Sequence, residues 1–163
     1  FRRVLFRSEK GIPVDLEMGG KDPMIVFADA HFERAIKAGV YSSFLNAGQI
    51  CVGTKRLIVQ DSIYSDFLEA FKKETLDLSR PNDVSDLSPL ARDHELQEAS
   101  RLIREAVQSG AKLELPLDVK GRFMKPVILT GVPKHSELAT EEVFAPVVTV
   151  ESFSSEKIGR AHV

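Results

Sequence analysis

The sequence predicts an α/β protein whose sheet is at least partly parallel. Short apolar runs alternate along the chain with longer segments in which apolar residues recur every three or four positions. Helical segments of that length are long enough to connect parallel strands. The 163 residues, 43% hydrophobic and 28% charged, suit one globular domain with a real core.

The first half of the chain contains two predicted strands and two predicted helices. Residues 23–27, an apolar run between polar neighbours, form the first strand. Asp29 is predicted to cap the next helix, because its carboxylate can accept a backbone N–H. The apolar face of that helix comprises Phe32, Ala35, Ile36, Gly39 and Val40. Residues 56–60 form the second predicted strand, and Ser62 is predicted to cap a helix over residues 63–76.

The second half repeats the alternation after a polar stretch around Pro81 that is typical of a loop. The longest helical pattern covers residues 92–109. Gly110 follows it and suits a left-handed helix end. Three further strands are predicted, at residues 112–115, 126–129 and 146–150.

Charge and cysteine content argue against several classes of protein. The formal net charge of −2 provides no basic surface for nucleic acid or anionic membranes. The apolar runs fall short of the roughly 18 residues that a membrane span needs. One cysteine cannot form a disulfide framework, and a free thiol persists best in a reducing compartment, so we expect a cytoplasmic protein. The histidines lack the spacing of a zinc site, and we predict no metal site.

The two ends of the chain look foreign to the rest. Residues 2–8, RRVLFRS, and residues 157–163, KIGRAHV, fit translations of the two strands of one oligonucleotide. We therefore expect residues 1–8 and 157–163 to be translated adapter, and residues 9–156 to be part of a longer protein. The encoding DNA should then carry the two stretches as inverted repeats.

Cys51, the single cysteine, is a candidate nucleophile. Ala47 and Gly48 precede it and Gly53 follows it. Such small residues let a substrate carbonyl approach the thiol and the Cys51 backbone N–H, which could stabilise an oxyanion. The alternative is a buried structural thiol, since free cysteine is among the most buried residue types.

Glu17 is a candidate base upstream of this thiol. Met18, Gly19 and Gly20 follow it, and paired glycines permit close backbone approach or positive φ angles. A carboxylate within reach of a reactive thiol can accept its proton or activate water. The alternative is a solvated or capping carboxylate.

Three motifs together resemble the signature blocks of the aldehyde dehydrogenase superfamily, in the family's order. They are E-M-G-G-K-D-P from Glu17, F-L-N-A-G-Q-I-C-V-G-T-K-R around Cys51, and E-E-V-F-A-P from Glu141. The similarity covers residues 9–156. It implies a three-layer α/β/α sandwich, the catalytic domain of that family, present here in part. Residues 9–20 would be the end of the cofactor-binding domain, and residues 21–156 part of the catalytic domain.

The resemblance also implies a role for each matched residue. Cys51 would attack an aldehyde, giving a thiohemiacetal and then a thioester, and Glu17 would activate the water that hydrolyses the thioester. The cofactor would be NAD or NADP. Glu142 would hydrogen-bond the nicotinamide ribose, and Phe144 would pack beside the nicotinamide. Met18 and Gly19 match positions at which the backbone of family members lies close to the nicotinamide.

The resemblance leaves several points open. Ala145 stands where the family usually has glycine, and we expect it to be tolerated unless its φ is positive. The dinucleotide-binding fold and an oxyanion-hole asparagine would lie upstream of this chain. Coenzyme A could resolve the thioester instead of water, or the chain alone could be an inactive fragment. The family implies a small aldehyde substrate and a homodimer or homotetramer. Two segments, 62–64 and 89–92, are similar to semialdehyde-oxidising members.

Overall fold

The computed structural model describes residue 7 and residues 9–13, 19–78 and 88–155. Within these ranges the strands are β1 (Pro23–Val26), β2 (Arg56–Gln60), β3 (Lys112–Leu113), β4 (Val119–Lys120), β5 (Phe123–Met124), β6 (Val127–Thr130) and β7 (Val147–Phe153). The helices are α1 (Phe32–Phe44), α2 (Tyr64–Asp77), α3 (Asp93–Gln108) and α4 (Glu137–Thr140), with 3₁₀ turns at Leu45–Gly48 and Asp61–Ile63. The predicted loop around Pro81 lies outside the described residues.

Five strands form one mixed sheet in the order β1–β2–β7–β6–β3. β1 with β2, β2 with β7, and β7 with β6 pair in parallel, whereas β3 runs antiparallel to β6. The prediction of an α/β protein with a partly parallel sheet is therefore confirmed. β4 and β5 form a separate hairpin that the sequence did not predict, because strands of two residues are too short to show an alternating pattern.

Helices cover both faces of the sheet. Leu57 and Val59 of β2 pack in one apolar cluster with Phe67 and Phe71 of α2 and with the buried face of α1. A second cluster joins the buried face of α3 to strand residues, such as Val147, whose side chains lie on the opposite face of the sheet. Alternate strand residues thus supply two cores, as the period of two requires. The result is the predicted three layers.

Two predicted helix caps are wrong. Asp29 does not cap α1. His31 does, and its Nδ1 accepts a hydrogen bond from the N–H of Arg34 at 3.4 Å. Ser62 does not cap α2 but lies in the 3₁₀ turn before it, and α2 begins at Tyr64 without a side-chain cap. Local cap propensity was overridden in both cases by the geometry of the preceding turn.

The end of α3 agrees with the sequence. Gly110 has a φ of +106°, and its N–H donates to the carbonyl of Val107 at 3.1 Å. The N–H of Ala111 donates to the carbonyl of Ala106 at 2.9 Å. These two bonds define a Schellman motif, which needs a positive φ at the glycine.

The sheet topology brings the three motifs together. The glycine pair precedes β1, Cys51 precedes β2, and the stretch from Glu141 to Pro146 precedes β7. These strands are adjacent and parallel, with Pro23 opposite Arg56 and Arg56 opposite Thr149. The amino ends of adjacent parallel strands lie on one edge of a sheet, so the motifs meet there.

Glu114 is a nearly buried carboxylate that ties α2 to the sheet. It contacts Lys112 at 2.9 Å and Lys72 at 3.3 Å, and it accepts a hydrogen bond from Thr130 at 3.0 Å. Its side chain is only 5% exposed. Burial alone raises the pKa of Glu114, but hydrogen bonds from Lys112, Thr130 and Lys72 outweigh burial and hold the pKa below its ordinary value.

Glu114→Gln should therefore lower the free energy of unfolding by about 2 kcal/mol at neutral pH, the usual worth of hydrogen bonds to a charged group. A lowered carboxyl pKa stabilises the fold above its unfolded value of about 4.3, and this stabilisation is lost as pH falls through the folded pKa. Urea unfolding between neutral and acidic pH should show a smaller acid loss in the variant.

Glu69→Gln is the matched control, because Glu69 also contacts Lys72 but its side chain is 73% exposed. Its effect should stay below about 1 kcal/mol. Equal acid sensitivity of the Glu114 variant and the wild type would refute this account of Glu114.

Candidate active site

The backbone before Cys51 has an uncommon conformation. Asn46, Ala47 and Gly48 follow one another with φ angles of 52°, 55° and 70°, all in the left-handed region. The two that are not glycine cost of order 1–3 kcal/mol each and persist only where surrounding contacts enforce them. Cys51 follows in an exposed turn, which contradicts the alternative of a buried structural thiol.

Local hydrogen bonds hold this turn, which we call the thiol turn (residues 45–51). The Asn46 side chain donates to the carbonyl of Gln49 at 3.3 Å, and the Gln49 side chain donates to the carbonyl of Asn46 at 3.0 Å. The ammonium group of Lys55 also donates a hydrogen bond to the carbonyl of Gly48. Hydrogen bonds within the turn and a hydrogen bond from Lys55 therefore hold the same few residues. Strained backbone persists only where several such contacts enforce it.

Three hydrogen bonds tie the thiol turn to the segment before α3, one of them from the Gln49 side chain to the carbonyl of Pro89 at 3.5 Å. The hydroxyl of Ser88 donates to Asn46 Oδ1 at 3.2 Å. The N–H of Ala91 donates to Gln49 Oε1 at 2.8 Å. The sequence motif around Cys51 therefore extends in space to residues 88–91.

Gly48 packs closely against the backbone of Ala145, two residues before β7. A Cβ atom at Gly48 would lie 2.2 Å from the carbonyl oxygen of Ala145. Ala145 itself is fully buried, and positive φ among non-glycine residues of the described chain is confined to Asn46 and Ala47. The methyl group that replaces the family's usual glycine thus meets no backbone strain, as expected.

The glycine pair lies between Glu142 and Cys51. The N–H of Gly20 donates to Glu142 Oε1 at 3.2 Å. A Cβ at Gly19 would lie 2.6 Å from Glu142 Oε2, and one at Gly20 would lie 3.2 Å from the carbonyl oxygen of Cys51. Residues from all three motifs are therefore in contact, although Glu17 and Met18 lie outside the described residues.

Phe144 and Glu142 also line a surface groove of about 290 Å³ beside the N-terminal half of α3. Both side chains are half-buried. The groove is further lined by Arg92, His94, Glu95, Glu98, Ala99 and Val143. These two candidate cofactor residues thus share one accessible surface, on which a ligand could lie.

Two lysines near the site have lowered basicity. Burial, together with repulsion from Lys55 and Arg56, lowers the pKa of Lys21 to about 8, against the attraction of Glu141 and Glu142. Burial likewise lowers the pKa of Lys55 to about 8, against the attraction of Glu142. Around pH 8 the site therefore loses positive charge.

Sequence reasoning missed Lys55, which is 1% exposed. A signal for it existed. Leu57 and Val59 are fully buried on one face of β2, and residue 55 continues their period of two. The left-handed φ of Ala47 had no local signal, because alanine disfavours that region.

The described residues contain no group of three histidine, cysteine, aspartate or glutamate side chains placed to hold a metal ion. Among the helices within the described ranges, none has the length and apolarity needed to cross a membrane.

Comparisons with known proteins agree with the three motifs. A sequence model of the aldehyde dehydrogenase family matches residues 2–159. The 2-aminomuconic semialdehyde dehydrogenase of Mus musculus is 39% identical over 157 residues, covering 88% of this chain and 32% of that protein. The succinate-semialdehyde dehydrogenase (NADP(+)) of Mycobacterium avium (strain 104) is 38% identical over 144 residues, covering 85% of this chain and 30% of that protein.

A solved structure matches as well. The crystal structure of NADP-dependent glyceraldehyde-3-phosphate dehydrogenase from Bacillus halodurans C-125, complexed with NADP, aligns with a TM-score of 0.84 at 32% identity, covering 94% of this chain and 33% of that one. The chain belongs to the aldehyde dehydrogenase family. It spans about a third of the length of the relatives that it matches.

Proposed function

We propose that the protein to which this chain contributes about a third oxidises an aldehyde to a carboxylic acid with NAD or NADP. The observation that carries the proposal is the contact among the three motifs. Gly20 hydrogen-bonds Glu142 and lies against the backbone carbonyl of Cys51, whose side chain is exposed.

Cys51 is the proposed nucleophile. Its thiolate Sγ adds to the aldehyde carbon, forming a C–S bond and an oxyanion that the Cys51 backbone N–H would stabilise. Loss of hydride from that carbon restores the carbonyl as a thioester. Water then attacks the thioester, the C–S bond breaks, and the carboxylate product leaves a free thiolate.

Glu17 is the proposed base for the second half of the reaction. A carboxylate near the thioester can take a proton from the attacking water, which makes hydrolysis faster. The proposal rests on the position of Glu17, one residue away from the glycine pair, which itself contacts both Glu142 and the backbone of Cys51.

The residues present fit a nicotinamide cofactor. Gly19 and Gly20 leave bare backbone beside the carboxylate of Glu142, where a Cβ would intrude. A carboxylate has about four acceptor positions, so Glu142 can bind Gly20 and a ribose hydroxyl together. Phe144 would provide an apolar surface for the ring, and Met18 and Gly19 would offer backbone. The bound cofactor would supply the hydride acceptor, which no side chain provides.

Semialdehydes are the substrates we would test first, because two relatives are named for them. We keep the expectations of a cytoplasmic protein, from its single cysteine, and of a homodimer or homotetramer, from the family.

The test of this function is an assay of the complete protein, expressed from its full gene. Succinate semialdehyde, an aliphatic aldehyde and an aromatic aldehyde would each be incubated with NAD or NADP, with and without coenzyme A. We expect reduced cofactor and free carboxylate in equal amounts without coenzyme A. If acyl-coenzyme A is the sole product, the thioester acceptor is coenzyme A and not water. If no aldehyde gives reduced cofactor, the proposal is contradicted.

A further inference from the structure

Lys55 is a buried cation that the proposed mechanism does not use. It is 1% exposed, and burying a charge is unfavourable unless the charge is compensated. Among the described residues, its ammonium group donates a hydrogen bond to the carbonyl of Gly48 and is attracted by Glu142. The cation is thus compensated by a carbonyl of the thiol turn and by the charge of the candidate cofactor carboxylate.

The backbone of Lys55 is fixed by the neighbouring strands. Its N–H donates to the carbonyl of Asp22 at 2.9 Å, just before β1. Its carbonyl accepts from the N–H of Thr149 in β7 at 3.1 Å. The backbone of Lys55 is therefore anchored to the sheet on both sides. Its side chain extends from that anchored position to the thiol turn, which lies outside the sheet.

The thiol turn needs such support, because the left-handed conformations of Asn46 and Ala47 are unfavourable by themselves. The hydrogen bonds between Asn46 and Gln49 are internal to the turn, so they shape it without fixing it on the sheet. The hydrogen bond from the Lys55 side chain to the Gly48 carbonyl joins the turn to the residue that directly precedes β2.

We propose that Lys55 is a positioning residue: its buried ammonium group clamps the Gly48 carbonyl to the amino edge of the sheet, and thereby fixes the left-handed turn that presents Cys51 beside Glu142. The inference rests on the proposed role of Cys51 as nucleophile. The group required is a cation with a hydrogen-bond donor, not merely a side chain of that volume.

The present chain permits a direct test, since Cys51 is its single cysteine and alkylation by iodoacetamide reports one site. The quantity to compare is the alkylation rate of the folded chain divided by that of the same chain in guanidinium chloride. For the wild type this ratio should differ from one by at least about threefold, a change of the size that one net hydrogen bond produces. Lys55→Ala should bring the ratio close to one, whereas Lys37→Ala, at an exposed lysine, should leave it unchanged.

Chemical rescue separates positioning from space filling. n-Butylammonium should restore the wild-type ratio in Lys55→Ala, because it returns both the charge and the donor, and n-butanol of similar size should not. If Lys55→Ala does not fold, the same pair of additives is compared by the recovery of a cooperative thermal transition, with the same expectation.

Three results would overturn the inference: a wild-type ratio of one, an unchanged ratio in Lys55→Ala, or equal rescue by amine and alcohol. None of these measurements involves dehydrogenase activity. Failure of the proposed function would appear instead in the assay of the complete protein, so the two failures are distinguishable.

Discussion

Cys51→Ala in the complete protein should lower aldehyde oxidation by on the order of 10⁴-fold or more, because the variant has no atom that can form the thioester. The binding of NAD or NADP should be unchanged. Cofactor contacts are proposed for Met18, Gly19, Glu142 and Phe144 instead. Steady-state kinetics and a calorimetric titration of cofactor would measure the two effects separately.

Val52→Ala is the control for this substitution. Val52 follows the thiol directly and is 74% exposed, so its truncation removes apolar surface from the same turn without touching the sulfur. It should retain turnover within about an order of magnitude. Dehydrogenase activity of Cys51→Ala comparable to that of Val52→Ala would eliminate Cys51 as nucleophile.

Gly48→Ala should be among the most destabilising single substitutions in the chain. The added Cβ would lie 2.2 Å from the carbonyl oxygen of Ala145, which is backbone and cannot rotate away, and Gly48 has a φ of +70°. The conformational cost and the forced displacement together should lower the free energy of unfolding by roughly 3 kcal/mol. Urea denaturation at neutral pH measures this change.

Gly121→Ala separates the two contributions. Gly121 has a φ of +60°, but a Cβ there would meet nothing within 4 Å. This control should lose only the conformational part, about 1–2 kcal/mol. If the two variants are equally stable, the contact between the thiol turn and Ala145 does not exist in solution.

Much of the fold could be predicted from sequence because its signals are local. The strand at residues 56–60 matches β2, and the helix pattern over residues 92–109 matches α3 within a residue at each end. The strand at residues 126–129 was displaced by one residue from β6, and β7 proved longer than predicted. Pairing with neighbouring strands decides such boundaries, and pairing is not a local property.

Less of the candidate site could be predicted. Motif recognition selected Gly19, Cys51 and Glu142, but their proximity depends on β7 lying next to β2, although three helices (α2, α3 and α4) and four strands separate these two strands in sequence. Nothing in a local pattern specifies that order. The left-handed Ala47 is likewise a consequence of tertiary contacts, since alanine alone avoids that conformation.

The central claim is that the oxidised substrate is held as a thioester on Cys51. Mass spectrometry of the complete Glu17→Gln variant, acid-quenched during turnover with aldehyde and cofactor, tests it most directly, because slowed hydrolysis should make the acyl group accumulate. The account predicts an added acyl mass on the peptide that contains Cys51, in an amount equal to the reduced cofactor formed in the first turnover. Reduced cofactor without any acyl mass on that peptide would contradict it.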